Sequence, residues 1–179
     1  KHTSDPSLTL KYGITSDLIL DATLNPDYSQ VEADAGQIDV NLRYNVFYPE
    51  KRPFFLEGKE KFAVAATRTF DLDPMYLMVN TRTIVNPLTG LKFSGKVNET
   101  NDFTILYAMD ELAGDQDIWQ KNYQHVPVVR FKRSFSGDSY IGALYSGGEA
   151  KENFNRMYGA DGQIRLNKST LLEFNGFRS

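Results

Sequence analysis

LTLKYGITSDLILDATL, residues 8–24, decides the fold class. Leu8, Leu10, Tyr12 and Ile14 alternate with Thr9, Lys11 and Gly13; after Thr15-Ser16-Asp17, Leu18, Leu20, Ala22 and Leu24 alternate with Ile19, Asp21 and Thr23. A period of two places one set on one side of a strand, and Ser and Asp between the runs permit a tight turn. The segment therefore reads as a β-hairpin with one apolar face.

Outward from it the same period recurs. Ile38, Val40, Leu42, Tyr44 and Val46 alternate strictly with Asp39, Asn41, Arg43 and Asn45. The pattern predicts further strands at 75–82, 91–97, 103–109, 126–135, 139–146, 157–166 and 170–177, about ten in all. The nearest helix candidate is Lys59 to Ala66. Residues 15–17, 99–102, 136–138 and 167–169 are tight polar turns, whereas 25–36, 110–125 and 147–156 read as longer loops. Short turns on one rim and long loops on the other are typical of outer-membrane barrels. The expected fold is all-β, an antiparallel up-and-down meander forming part of a transmembrane β-barrel, with residues 1–179 as a single region.

The chain has 179 residues, 20 Lys and Arg against 23 Asp and Glu, two histidines and no cysteine. A net charge of -3 provides no basic field for nucleic acid. The absence of cysteine excludes disulfides, thiolate metal sites and a thiol nucleophile, and two imidazoles leave a Ser-His-Asp triad without support. No nucleotide-binding or hydrolase motif is present, and no cofactor is implied. No apolar run approaches the length of a membrane helix, which excludes helical spanning but not spanning by strands. An opening KHTSDPS without an initiator Met, and an end inside a predicted strand, read as a piece of something longer.

One segment departs from a plain barrel: VFYPEKRPFFLEGKEKFAVAATRTFDLDP, an insert at about 47–74. Pro49 and Pro53 stiffen it, Glu50, Lys51 and Arg52 cluster charge, and Phe54, Phe55 and Leu56 need burial before Gly58 permits a turn. It is expected to fold against or into the barrel.

LILDATLNPDYSQVEAD (18–34), FYPEKRPFFLEG (47–58), NPLTGLKFSGKV (86–97), VVRFKRSFSGDSYIGALYS (128–146) and NRMYGADGQIRLNKS (155–169) resemble, in order, a family of large Gram-negative outer-membrane proteins, domain-of-unknown-function family 5916. The resemblance implies an outer-membrane location and a longer barrel region than this chain holds. It also implies a preceding β-sandwich similar to carbohydrate-binding family 9, absent here. It implies no activity.

Candidate sites follow from residue chemistry. Trp119 and Tyr123, with His125, sit on the predicted loop 110–125 and could stack a sugar ring or anchor at a membrane interface. Lys51 and Arg52 beside Phe54 and Phe55 could contact an anion or partner, or Arg52 could pair with a carboxylate inside the barrel while the phenylalanines fix the insert. Asp27, Glu32 and Asp34 are candidate Ca2+ ligands without the pattern of an EF-hand; Asp71 and Asp73 form a similar cluster. Glu50, Glu57, Glu60, Asp71 and Asp73 could supply a glycosidase pair, but nothing in their spacing marks one. The leading expectation is an outer-membrane barrel without catalysis, in contact with lipid, with a role in structure, transport or surface interaction and partners among glycans or other outer-membrane proteins. The alternatives are a soluble all-β carbohydrate-binding domain and a carboxylate-based glycan hydrolase.

Overall fold

The structure, a computed structural model, describes residues 6–28, 50–66, 78–79, 81–112, 122–135, 138–151 and 153–179. Eight strands pair in chain order into one antiparallel sheet: β1 (Leu8–Gly13), β2 (Leu18–Leu24), β3 (Pro87–Lys96), β4 (Asn101–Glu111), β5 (Tyr123–Ser134), β6 (Tyr140–Glu149), β7 (Phe154–Arg165) and β8 (Leu171–Arg178). Among the described residues β1 pairs only with β2 and β8 only with β7, so the sheet is not closed. The all-β antiparallel meander is thus present, with eight described strands.

The predicted strand at 38–46 lies outside the described residues. The one predicted at 75–82 differs from the structure where it can be seen: 78–79 form a turn and Thr81–Thr83 a short 3-10 helix. In the predicted loop 147–156, β6 continues to Glu149 and β7 begins at Phe154, leaving a four-residue connection closed by a bond from the Ala150 N–H to the Asn153 carbonyl. The predicted loop 110–125 likewise yields its ends to β4 and β5. Near the end of β3, opposite Leu18 at the start of β2, Gly95 has a φ of 142°, and a Cβ there would collide with the Asp17 carbonyl; only glycine fits.

Register assigns every strand two unlike faces. Thr23, Gly90, Ala108 and Val126 share one row on one side, as do Asp21, Lys92, Leu106, Val128, Ser146 and Met157. This side is covered by the β2–β3 connection. That connection contains helix α1 (Pro53–Leu56), a 3-10 turn (Lys59–Phe62) and the Thr81–Thr83 turn. Phe54, Phe55, Phe62, Val64, Val79 and Ile84 from the connection meet Leu106, Ala108, Val128 and Leu144 from β4–β6 to form the core. The helix candidate at 59–66 is realised as the 3-10 turn at its start.

The opposite side is apolar, and nothing among the described residues covers it. Leu8, Leu10, Tyr12, Leu24, Leu91, Val97, Ile105, Val129, Ile141, Tyr158, Ile164, Leu172 and Phe174 are all exposed there, while Leu20 and Phe93 are half-buried on the same side. Phe103 and Phe131 pack ring to ring at 4.8 Å across β4 and β5. Two strand-end aromatics depart from this face: Tyr140 reaches Asp161 and Phe177 packs against the core.

Candidate functional site

The residues with the most specific geometry lie where the β2–β3 connection meets the covered side of the sheet. Its neck is a buried ion pair. The Glu50 carboxylate accepts from Arg52 Nε at 2.9 Å and NH2 at 2.8 Å, from the Arg52 backbone N–H at 2.9 Å, and from the Thr81 hydroxyl at 2.6 Å. The same guanidinium donates to the carbonyls of Thr81 at 2.7 Å and Ile84 at 2.6 Å, joining the start of the segment to its end. It also lies 4.4 Å from the Phe55 ring centroid. Burial alone would raise the Glu50 pKa, but the bonds from Arg52 and Thr81 and the adjacent positive charge outweigh it and hold the carboxyl at about 2.

Beyond the neck, polar side chains of the sheet grip the backbone of the insert. Lys92 donates to the carbonyls of Phe54 at 2.7 Å and Glu57 at 2.8 Å, with Asp21 as its counter-charge at 3.5 Å. The Phe54 ring fills the space left by Gly90, where a Cβ would stand 2.7 Å from it. Arg130 on β5 and Asp161 on β7 form a bidentate pair at 2.5 and 2.9 Å, across Gly142 of β6. Asp161 accepts the Ala65 N–H at 2.8 Å, and Arg130 donates to the Ala63 carbonyl at 3.1 Å. On β8, Asn175 donates to the Ala65 carbonyl at 3.0 Å; on β1, Lys11 pairs with Glu57. Asp110 closes the segment by accepting the N–H groups of Val85 at 3.0 Å and Asn86 at 2.6 Å.

Both edge strands therefore touch one short piece of chain. A flat eight-stranded sheet would hold its edges about 34 Å apart, a span that residues 57–65, coiled at 59–62, meet through a sheet curled toward them. The arrangement is suited to holding a polypeptide against a polar surface. Three buried ion pairs hold the junction, Lys92 with Asp21, Arg130 with Asp161 and Arg52 with Glu50, while buried Asp110 is satisfied by backbone N–H groups.

The sequence-predicted residues fall in several places. Arg52 is buried in the neck, while adjacent Lys51 is exposed. Its carboxylate partner comes from its own segment, and Phe54 and Phe55 fix the insert. Tyr123 opens β5 opposite Glu111, and His125 is inside the same strand, its ring stacked 6.0 Å from Tyr107 and its Nδ1 2.6 Å from the Tyr107 hydroxyl. Trp119, Glu32, Asp34, Asp71 and Asp73 lie outside the described residues, whereas Asp27 is exposed just after β2. Among the described residues no cluster of His, Asp and Glu could hold a metal. The Glu57 carboxyl, bonded by Lys11, is held below its usual range as Glu50 is, opposite to the direction that makes a carboxyl a general acid. Arg130, Asp161, Asp110 and Lys92 are not marked as a group by any motif in the sequence. The available signal is single charges, Asp21, Lys92, Asp110, Arg130 and Asp161, set among small and apolar residues on the covered side of strands that are apolar on their other side.

The model of a family described as a domain of unknown function (DUF5916) matches residues 2–67. This stretch carries β1, β2 and the insert through its bonds to β7 and β8, and the match supports kinship with that family. No curated protein and no solved structure matches the chain.

Proposed function

We propose that this chain is part of an outer-membrane β-barrel that turns its apolar face to lipid and holds residues 50–66 as a plug against its polar interior. The observation that carries the reading is the inversion of burial. Leu8, Leu10 and Leu172 are 62%, 54% and 50% exposed, while Lys92, Arg130 and Asp161 are 2%, 1% and 0% exposed. In a protein surrounded by water this arrangement leaves the hydrophobic effect of the larger face unused and desolvates charges at a cost. In a bilayer the apolar face is solvated by acyl chains and the charges belong inside. No helix among the described residues is long and apolar enough to cross a membrane, so strands are the means of crossing in this reading.

The role that fits is a plugged barrel serving surface architecture or controlled passage. The insert meets the covered side through hydrogen bonds to its backbone, which water can replace, and through the apolar contacts of Phe54, Phe55, Phe62 and Val64; the three buried ion pairs keep both partners on one side of the junction, and the exposed pair of Lys11 with Glu57 crosses it. The test is fractionation of cells making the full-length protein, with gel mobility compared before and after boiling. An outer-membrane band that migrates differently when unboiled is expected. A soluble band of unchanged mobility would overturn the reading.

A further inference from the structure

Beside the insert, at the rim where β5 begins and β6 ends, lies a cleft of about 360 Å³. Its floor is aliphatic: Val79 and Ile84 from the β2–β3 connection, Leu106 from β4 and Val128 from β5, all buried. Met78 and Met157 flank the floor from opposite sides of the junction. Over it stand three uncharged polar side chains on successive strands, Gln124, Ser146 and Asn155. Among the described residues none of these three engages its side chain in a hydrogen bond, and no charged side chain lines the cleft.

These features select a ligand chemistry. An ion would lose its hydration without a counter-charge. A sugar would lie over four aliphatic side chains, and the described lining offers no aromatic ring for it to stack on. A large aliphatic group flanked by neutral amides suits both parts. Gln and Asn each present a donor and an acceptor together, the complement of a peptide group, and methionine adapts its shape to an apolar side chain. We propose that this cleft binds an extended peptide, taking a leucine-like side chain onto the aliphatic floor and its flanking backbone amides onto Gln124 and Asn155. The proposal stands independently of the membrane reading.

The test uses the full chain labelled with 13C at its four methionine methyl groups, with N-acetyl-leucine amide as probe and Met→Leu variants for assignment. The Met78 and Met157 signals are expected to shift saturably, while Met109, on the uncovered face, stays still. N-acetyl-leucine, which carries a carboxylate, should bind at least about tenfold more weakly. Gln124→Ala and Asn155→Ala should each weaken the amide by about three- to tenfold. The probe comparison needs no variant and so survives any folding defect. Absent shifts, equal binding of the carboxylate, stronger binding of methyl glucoside, or shifts that spread to Met109 would each overturn the assignment.

Discussion

At Gly142 the contribution is a missing side chain. Arg130 and Asp161 sit two strands apart, and a Cβ on the strand between them would stand 2.6 Å from the Arg130 guanidinium and 2.8 Å from the Asp161 carboxylate. Gly142→Val is therefore expected to part the pair and destabilise the fold by about 3–5 kcal/mol, the usual cost of breaking a buried ion pair; denaturant unfolding measures it. Glu50 supplies a pH signature. Its folded-state pKa of about 2 lies below the ordinary carboxylate value of 4.5, so its stabilisation is fully present above pH 4.5 and is lost as pH falls toward 2. The linked free energy is on the order of 3 kcal/mol. Glu50→Gln should be less stable at pH 7, through an unpaired Arg52, and should lose less stability than the parent between pH 4.5 and 2. Parallel acid titrations of the two proteins would check this, and equal slopes would remove Glu50 from the account.

The insert, as an element, depends on a fit between Phe54 and Gly90. Gly90→Val should push the ring out and cost about 1–3 kcal/mol, as overpacking does. The insert should then open more often, and trypsin should cut after Lys59 or Lys61 roughly tenfold faster while the strands stay intact. Cleavage at the parental rate would mean that the slot is not what retains the helix. The strands themselves were legible in the sequence because period-two alternation reports directly on faces, as in Leu8 to Leu24. The insert's anchorage was not. Lys92 grips the carbonyls of Phe54 and Glu57, and a backbone carbonyl has no signature in the residue that carries it. The same reason explains why the strand predicted at 75–82 is not seen at its described residues 78–79 and 81–82: Met75, Leu77 and Val79 alternate in sequence, but Arg52 draws the carbonyls of Thr81 and Ile84 together and the chain coils at Thr81–Thr83. Gly147 and Gly148 read as loop by composition, yet they continue β6 opposite Arg156 and Asn155.

For the whole molecule the two unlike faces are the dominant property. If lipid covers the apolar one, Ile105→Arg and Ile164→Arg should each cost about 2–4 kcal/mol near the bilayer midplane and impair assembly. Heat-modifiable band intensity in outer-membrane fractions measures this, and normal assembly of both variants would count against lipid contact. The insert has a temporal consequence too. Residues 50–66 precede β3–β8 in the chain, so during synthesis they exist before six of the eight described strands. Four later strands, β3, β5, β7 and β8, can then be gauged against a segment already made: Lys92, Arg130, Asp161 and Asn175 must all point at it. A slip of one residue in β7 would swing Asp161 to the apolar side and leave the Ala65 N–H bare. The segment would thus act as a mandrel, winding later strands into register and exposing misaligned ones as they form.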